Sequence, residues 1–264
     1  IASLEKNLER ATKVAEEQGG GILVITEGVF GMRGMQGKIK EICELKSKFN
    51  FRLLVDDAHG FGTLGKTGAG AGEEQGCQDQ IDVYFSTFAK SMAGFGAFIA
   101  GDADIIRILK YNLRSQVFAK SLTMPMVIGG LKRLELVRSR PEIKAKLWEN
   151  VNKLQNGLIE RGFNIGGTDT CVTPVMMQGS TVEATLLVKD LRENYGIFTS
   201  VVIYPVIPKR MILLRLIPTA SHTDAEINET LDAFDAIHDK LTSGFYKEQE
   251  QKLLEEKGLS FKST

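Results

Sequence analysis

Polar residues of several chemical types follow three apolar runs in the first half of the sequence. The runs at residues 22–25, 51–55 and 82–85 lead into Thr26-Glu27-Gly28, Asp56-Asp57-Ala58-His59-Gly60 and Ser86-Thr87-Phe88-Ala89-Lys90. A lysine amine in a crowded, partly desolvated site loses basicity and can form a Schiff base with a carbonyl compound. A carboxylate, an imidazole, hydroxyls and an amine in one crevice therefore indicate carbonyl chemistry centred on Lys90.

Pyridoxal phosphate (PLP) is a cofactor that needs this set of side chains. It needs a lysine, a carboxylate that keeps its pyridinium nitrogen protonated, and donors for its phosphate. Lys90 and Asp56 suit the first two roles, Ser86 and Thr87 suit the third, and His59 could lie beside the ring hydroxyl. Each residue alone is more often a cap or a surface side chain. Their joint position after the apolar runs favours a cofactor site.

The order of periodic segments predicts an α/β fold. Apolar runs separated by helical patterns indicate βαβ units, a mostly parallel sheet, and ligands at the carboxyl ends of its strands. After about Asp104 helical patterns dominate up to Arg161, and three short strands then alternate with helices. We therefore expect part of a large domain at residues 1–139, a smaller α+β domain at residues 140–245, and a charged C-terminal tail at residues 246–264.

Composition excludes several other classes of protein. The 264 residues contain 33 basic and 33 acidic side chains, so no basic excess suggests a nucleic-acid partner. Cys43, Cys77 and Cys171 form no C-x-x-C pair, which argues against a zinc ribbon and a disulfide scaffold and fits a reducing compartment. No metal-ligand spacing is present, and the longest apolar runs are shorter than the ~20 residues of a membrane helix. We expect a cytoplasmic protein with no transmembrane segment.

The motifs resemble those of a known enzyme family. The segments Val55–Gly60, Ser86–Lys90 and Thr26–Phe30 resemble the α-oxoamine synthases, PLP-dependent enzymes of the type I (aminotransferase) fold, and most closely the bacterial serine palmitoyltransferases. The resemblance extends to about residue 242. It implies a decarboxylating condensation of L-serine with palmitoyl-CoA to 3-ketodihydrosphingosine, CoA and CO2, the first step of sphingolipid synthesis. It also implies a homodimer. Besides a cytoplasmic location, peripheral contact with the inner membrane stays open.

The resemblance also implies roles for individual residues. Lys90 would be the Schiff-base lysine and accept the α-proton, Asp56 would pair with the pyridinium nitrogen, and His59 would bond the ring hydroxyl. Thr87 would bind the phosphate, and Arg215 would bind the substrate carboxylate. Ser121 and Thr123 would contact the phosphate in the neighbouring subunit. A bidentate guanidinium suits a carboxylate.

The chain departs from the family in three places. Gly31 stands where many relatives have Ser, which would remove one polar contact to the cofactor. The loop Tyr204-Pro205-Val206-Ile207-Pro208 differs from that of the commoner relatives and could alter acyl or carboxylate recognition. Family members are considerably longer, so we expect an upstream part that supplies a glycine-rich phosphate turn and the residue that stacks on the cofactor ring.

Other interpretations compete with a serine palmitoyltransferase. Within the family, an 8-amino-7-oxononanoate synthase or a glycine C-acetyltransferase would share the same motifs, and a non-catalytic subunit of this fold would not need the intact Asp56, His59 and Lys90. Outside it, the segment Gly60–Thr67 matches the G-x-x-x-x-G-K-[ST] pattern of P-loop NTPases. A P-loop runs directly from a strand into a long helix. Four further glycines between residues 68 and 76 oppose such a helix, so we expect an ordered loop there.

Overall fold

The first 139 residues alternate short strands with helices. The computed structural model describes residues 1–256. Its elements in this part are α1 (Ala2–Gln18), β1 (Leu23–Glu27), β2 (Val29–Phe30), β3 (Met35–Gln36), α2 (Ile39–Glu44), β4 (Arg52–Asp56), α3 (Ala71–Glu74), β5 (Val83–Thr87), β6 (Ala97–Gly101), α4 (Ala103–Asn112), α5 (Arg114–Phe118) and α6 (Met124–Ser139). Single 3-10 turns lie at Leu45–Ser47 and Gln78–Gln80.

Four of these strands form one sheet in the order β1-β4-β5-β6. β4 runs parallel to β1 and β5, and β6 closes the sheet as an antiparallel edge. Leu53 and Val55 of the central β4 have no exposed surface. In β1, by contrast, Leu23 and Ile25 are 53% and 65% exposed, although their apolar run predicts burial on both faces. β2 and β3 form a separate antiparallel hairpin.

A second sheet follows in the C-terminal half. The elements are α7 (Pro141–Glu160), β7 (Thr173–Gln178), α8 (Thr181–Asn194), β8 (Ser200–Val202), β9 (Met211–Leu216), α9 (Asp224–Thr242) and α10 (Phe245–Glu256). The three strands are antiparallel, in the order β7-β9-β8. Leu158 of α7, Leu187 of α8 and Phe234 of α9 pack together with the buried side chains of β7 and β9 in one apolar core.

The described chain separates into two compact units. The first unit comprises Ile1–Gly31 and Met35–Ala145, and the second comprises Met32–Gly34 and the chain from Lys146 onward. The division at Lys146 falls inside α7, and the expected domain boundary between residues 139 and 140 stays a prediction. The first turn of α7 stays with the first unit because Lys144 donates hydrogen bonds to the carbonyl oxygens of Gly65 and Lys66.

The segment expected as a charged tail contains a packed helix. In α10 the side chain of Tyr246 is buried in the core of the second unit, and Glu250 is buried where it accepts a hydrogen bond from Ser180. Residues 246–256 thus form a charged helix that packs through Tyr246 and Glu250 and exposes most of its other side chains, and residues 257–264 lie outside the described part. None of the helices formed by residues 1–256 is long and apolar enough to cross a membrane.

Candidate active site

The carboxyl ends of three neighbouring strands position the predicted cofactor residues. Glu27 of β1 is paired with Asp56 of β4, and Asp56 is paired with Phe85 of β5. His59 follows Asp56 by three residues, and Lys90 follows Thr87, the last residue of β5, by three residues. The first unit therefore places four predicted side chains on adjoining strand ends: Asp56, His59, Thr87 and Lys90.

Asp56, the last residue of β4, has a carboxylate suited to a cationic ring nitrogen. It is half-buried, and Oδ1 accepts a hydrogen bond from the backbone N–H of Ala58 at 3.1 Å. Oδ2 accepts no hydrogen bond from any residue in the described chain. One oxygen is thus fixed by the backbone, and the other can accept the N–H of a pyridinium.

His59 lies directly against the backbone of Gly31. A Cβ added at Gly31 would collide with Nε2 of His59. The hydroxyl of Thr63 donates to the carbonyl oxygen of His59 at 3.0 Å, which fixes the turn that carries the imidazole. Besides the expected loss of a polar contact to the cofactor, glycine at position 31 therefore leaves the space that the imidazole ring of His59 occupies.

The segment after β5 presents a lysine and a hydroxyl. Lys90 is exposed, and its carbonyl oxygen accepts the N–H of Ala93 in a tight turn. The hydroxyl of Thr87 donates to the carbonyl oxygen of Gly96 at 3.0 Å and accepts the N–H of Ala89 at 3.2 Å. The structure thus fixes the backbone on both sides of Thr87 and leaves the amine of Lys90 at the surface.

Ser86 differs from these residues because its side chain is buried. It has no exposed surface, and its hydroxyl lies 3.4 Å from the carbonyl oxygen of Asp57. Because side chains alternate along a strand, Ser86 and Thr87 point to opposite faces of the sheet. Ser86 therefore faces the interior, and its contact with a cofactor phosphate stays a prediction.

Asp57 is a residue that the sequence reasoning left without a role. It has no exposed surface, and its Oδ2 accepts hydrogen bonds from the N–H of Ala71 at 2.8 Å and the hydroxyl of Tyr84 at 2.9 Å. Oδ1 is buried without a hydrogen-bond partner. Burial raises the pKa of Asp57 to about 6.

The Tyr84 hydroxyl connects the Asp57 carboxyl to the loop before α3. The hydroxyl of Tyr84 lies 2.9 Å from Oδ2 of Asp57 and 3.0 Å from the carbonyl oxygen of Ala69. The hydroxyl donates to Oδ2 of Asp57 or to the carbonyl oxygen of Ala69, and either bond holds Tyr84 beside the buried carboxyl.

Three glycines enclose the Asp57 carboxyl. A Cβ at Gly28, Gly60 or Gly70 would collide with its oxygen atoms. These glycines come from the end of β1, the turn after β4 and the loop before α3, so the carboxyl holds three segments together. The pattern of an Asp-Asp pair at a strand end with glycines on both sides is the signal in the sequence that could have indicated this site.

The Gly60–Thr67 loop does not have the form of a P-loop. Its residues form successive turns, and the nearest following helix is the four-residue α3. The long helix that a P-loop requires does not follow this loop, as the four further glycines predict. The carboxylate of Glu73 accepts hydrogen bonds from the N–H and hydroxyl of Thr67 and from the N–H of Ala69, at 3.0–3.1 Å. A side chain of the protein thus occupies the donors that a nucleotide phosphate would need.

Arg215 lies in the second unit, near the end of β9. It is half-buried, and Nη1 lies 3.9 Å from the sulfur of Met32. In the following loop Nδ1 of His222 accepts the N–H of Thr219 at 3.0 Å, and the Asn150 amide donates to the carbonyl oxygens of both residues. His222 therefore stabilises this loop.

The residues predicted to reach a neighbouring subunit are exposed. Ser121 and Thr123 lie in an extended segment before α6, and Thr123 is the N-cap of that helix without a side-chain cap. Their contact with a second copy of the chain stays a prediction. The loop around Tyr204 is exposed as well, and the Lys209 amine lies 5.4 Å from the centre of the tyrosine ring.

Comparison with known proteins decides the family. A family model described as aminotransferase class I and II matches residues 6–234. The chain belongs to this family. A solved structure described as SPT with PLP internal aldimine matches this aminotransferase-family chain with a TM-score of 0.78 at 30% identity, covering 82% of this chain and 55% of that one. The predicted type I fold and PLP as its cofactor are thereby confirmed.

Curated relatives lie within the α-oxoamine synthases. The chain is 67% identical over 258 residues to the cysteate-C-fatty acyltransferase of Capnocytophaga ochracea, covering 98% of this chain and 61% of that protein. It is 36% identical over 210 residues to the serine palmitoyltransferase of Sphingobacterium spiritivorum, covering 80% and 52%. The chain thus spans between about half and two thirds of the length of these relatives. It belongs to the α-oxoamine synthase-like, PLP-dependent members of the aminotransferase family, as the motifs predict.

Proposed function

We propose that this protein is a PLP-dependent acyltransferase that condenses L-cysteate with a fatty acyl thioester. The observation that carries the choice of amino acid is the 67% identity, over 98% of the chain, to a cysteate-C-fatty acyltransferase. In the proposed reaction a bond forms between the amino-acid α-carbon and the acyl carbon. The thioester C–S bond breaks to release the thiol, and the α-carboxylate leaves as CO2. The product is a lipid that bears an α-amino ketone and a sulfonate.

The side chains of the first unit suit the cofactor chemistry. PLP supplies an electron sink for the charge that develops at the α-carbon. The Lys90 amine would hold the cofactor aldehyde and, once released, take the α-proton on Nζ. Oδ2 of Asp56 would accept the ring N–H, His59 would bond the ring hydroxyl, and Thr87 would bond the phosphate.

Arg215 of the second unit would bind the substrate carboxylate. Its guanidinium presents parallel N–H donors, which match the two oxygens of a carboxylate. Positioning of this group matters because the carboxylate leaves during the reaction, and its orientation decides which bond breaks. We propose that the active assembly is a homodimer in which Ser121 and Thr123 reach the neighbouring cofactor phosphate.

L-Serine with palmitoyl-CoA is the second candidate substrate pair. It is favoured by the similarity to serine palmitoyltransferases at 34–36% identity. The same family also contains relatives that are named for other products, such as the 8-amino-7-oxononanoate synthase of Fervidobacterium nodosum at 34% identity. Motifs shared by all of these enzymes cannot separate the amino-acid substrates, so the higher identity decides our order of preference.

The test is a comparison of amino acids with one acyl donor. The purified protein with PLP and palmitoyl-CoA is given L-cysteate, L-serine, L-alanine or glycine, and thiol release and the lipid product are measured. We expect the highest kcat/KM with L-cysteate, a product that retains sulfur, and no turnover by Lys90→Ala. A preference for L-serine would replace our proposal by the second candidate. Thiol release that needs no amino acid would contradict both.

A further inference from the structure

A short turn of the β2–β3 hairpin clusters with the second unit and is held firmly there. Its residues are Met32, Arg33 and Gly34. The carbonyl oxygen of Gly34 accepts hydrogen bonds from the hydroxyls of Thr168 and Thr170, both at 2.9 Å, and from the N–H of Asp169 at 3.3 Å. Three donors on one oxygen fix the C-terminal side of the turn.

The same turn lies beside the predicted carboxylate ligand. The sulfur of Met32 is 3.9 Å from Nη1 of Arg215. Gly34 has a φ of +66°, and a Cβ there would collide with the carbonyl oxygen of Val172. The turn therefore requires glycine at this position. Arg33 lies between Met32 and Gly34, whose contacts with the second unit hold the backbone on both sides of it.

Arg33 itself is exposed and forms no ion pair, hydrogen bond or ring contact with any of the residues from 1 to 256. A guanidinium on a fixed backbone, next in the chain to a residue that contacts Arg215, is available to an anion from solution. A ligand with two acidic groups would offer one of them to each of the two guanidinium groups.

We propose that Arg33 binds the side-chain sulfonate of the substrate while Arg215 binds its carboxylate. This inference rests on the proposed function, because L-cysteate carries an acidic group on the carbon next to its α-carbon. A sulfonate keeps its charge at every physiological pH and offers three oxygens to the planar donors of a guanidinium. The hydroxymethyl group of serine offers no charge to Arg33. The turn thus determines specificity for a dianionic amino acid.

The experiment separates the substrate side chain from the rest of the reaction. Kinetic constants for L-cysteate and L-serine are measured for the wild-type protein, Arg33→Gln, Arg33→Lys and the control Arg192→Gln, which changes an exposed arginine of α8. We expect Arg33→Gln to raise KM for L-cysteate by about 10- to 100-fold, the range for one charge-assisted hydrogen-bonded pair. We expect its constants for L-serine to stay unchanged, Arg33→Lys to recover part of the loss, and the control to match wild type.

A binding measurement accompanies the kinetics. L-Cysteate should raise the thermal unfolding temperature of the wild-type protein and the control, and should do so much less for Arg33→Gln. An unchanged KM for L-cysteate in Arg33→Gln would overturn the inference, and so would an equal loss with both amino acids. If the wild-type protein has no preference for L-cysteate, the proposed function fails and the inference fails with it. If the wild-type protein prefers L-cysteate but Arg33→Gln keeps its KM, only the inference fails, so the two failures are distinguishable.

Discussion

Replacing Asp57 by Asn should remove a pH dependence of stability that originates at one buried carboxyl. Burial raises the pKa of Asp57 from its ordinary 3.8 to about 6 in the folded protein. The folded state thus holds this proton more tightly than the unfolded chain does. The stabilisation is complete below about pH 4 and is lost as the pH rises through about 6.

The size of the effect follows from the shift in pKa. Two pKa units correspond to about 3 kcal/mol over the whole titration, and about half of this falls between about pH 5 and pH 8. Asn has nearly the same shape, and its amide oxygen can still accept from Ala71 and Tyr84. Between about pH 5 and pH 8, the free energy of unfolding should therefore fall by about 1.5 kcal/mol less in Asp57→Asn than in the wild-type protein.

Urea unfolding of wild type and Asp57→Asn near pH 5 and pH 8 measures this difference, since the other titrating groups contribute equally to both proteins. Asp79→Asn, at an exposed aspartate of the first unit, is the matched control and should follow wild type. The carboxyl carbon of Asp57 can also be titrated directly by NMR. Parallel pH profiles for wild type and Asp57→Asn, or a carboxyl that titrates near pH 4, would refute the reasoning.

Three further substitutions test other parts of the structure. Gly31→Ser should displace His59 and raise the PLP concentration needed for half-saturation by about tenfold, the value of one hydrogen bond; an unchanged PLP affinity would contradict the close packing. Tyr246→Phe removes a 2.6 Å hydrogen bond to Asp190 and should cost about 1.5–3 kcal/mol in chemical unfolding, whereas no loss would mean that α10 is not packed. Leu158→Ala should cost about 2–5 kcal/mol by the same assay, and a cost below 1 kcal/mol would contradict its burial.

Apolar periodicity predicted most of the regular elements. The continuous apolar runs at residues 22–25, 51–55 and 82–85 predicted β1, β4 and β5 to within one or two residues. These elements have sufficient length for a period to be read. The two-residue strands β2 and β3 have none, because backbone hydrogen bonds and the conformation of Gly34 create that hairpin.

The candidate site could be predicted only in part. Strand-end position predicts Asp56, His59, Thr87 and Ser86 as site residues, and only the structure shows that the alternation of β5 turns Ser86 to the interior. Their roles toward a cofactor stay predictions. The buried role of Asp57 depends on the glycines that close around it in space. Choice between amino-acid substrates depends on a few side chains outside the shared motifs, so the motifs favoured serine where the relative with 67% identity favours cysteate.

The most direct test of the account is to find which lysine carries the cofactor. The purified protein is loaded with PLP, reduced with borohydride, digested, and its peptides are mapped by mass spectrometry. The account predicts a single pyridoxyl group on Lys90, together with loss of the visible absorbance band in Lys90→Ala but not in a control substitution of the exposed Lys66. A pyridoxyl group on another lysine, or an unchanged absorbance band in Lys90→Ala, would contradict it.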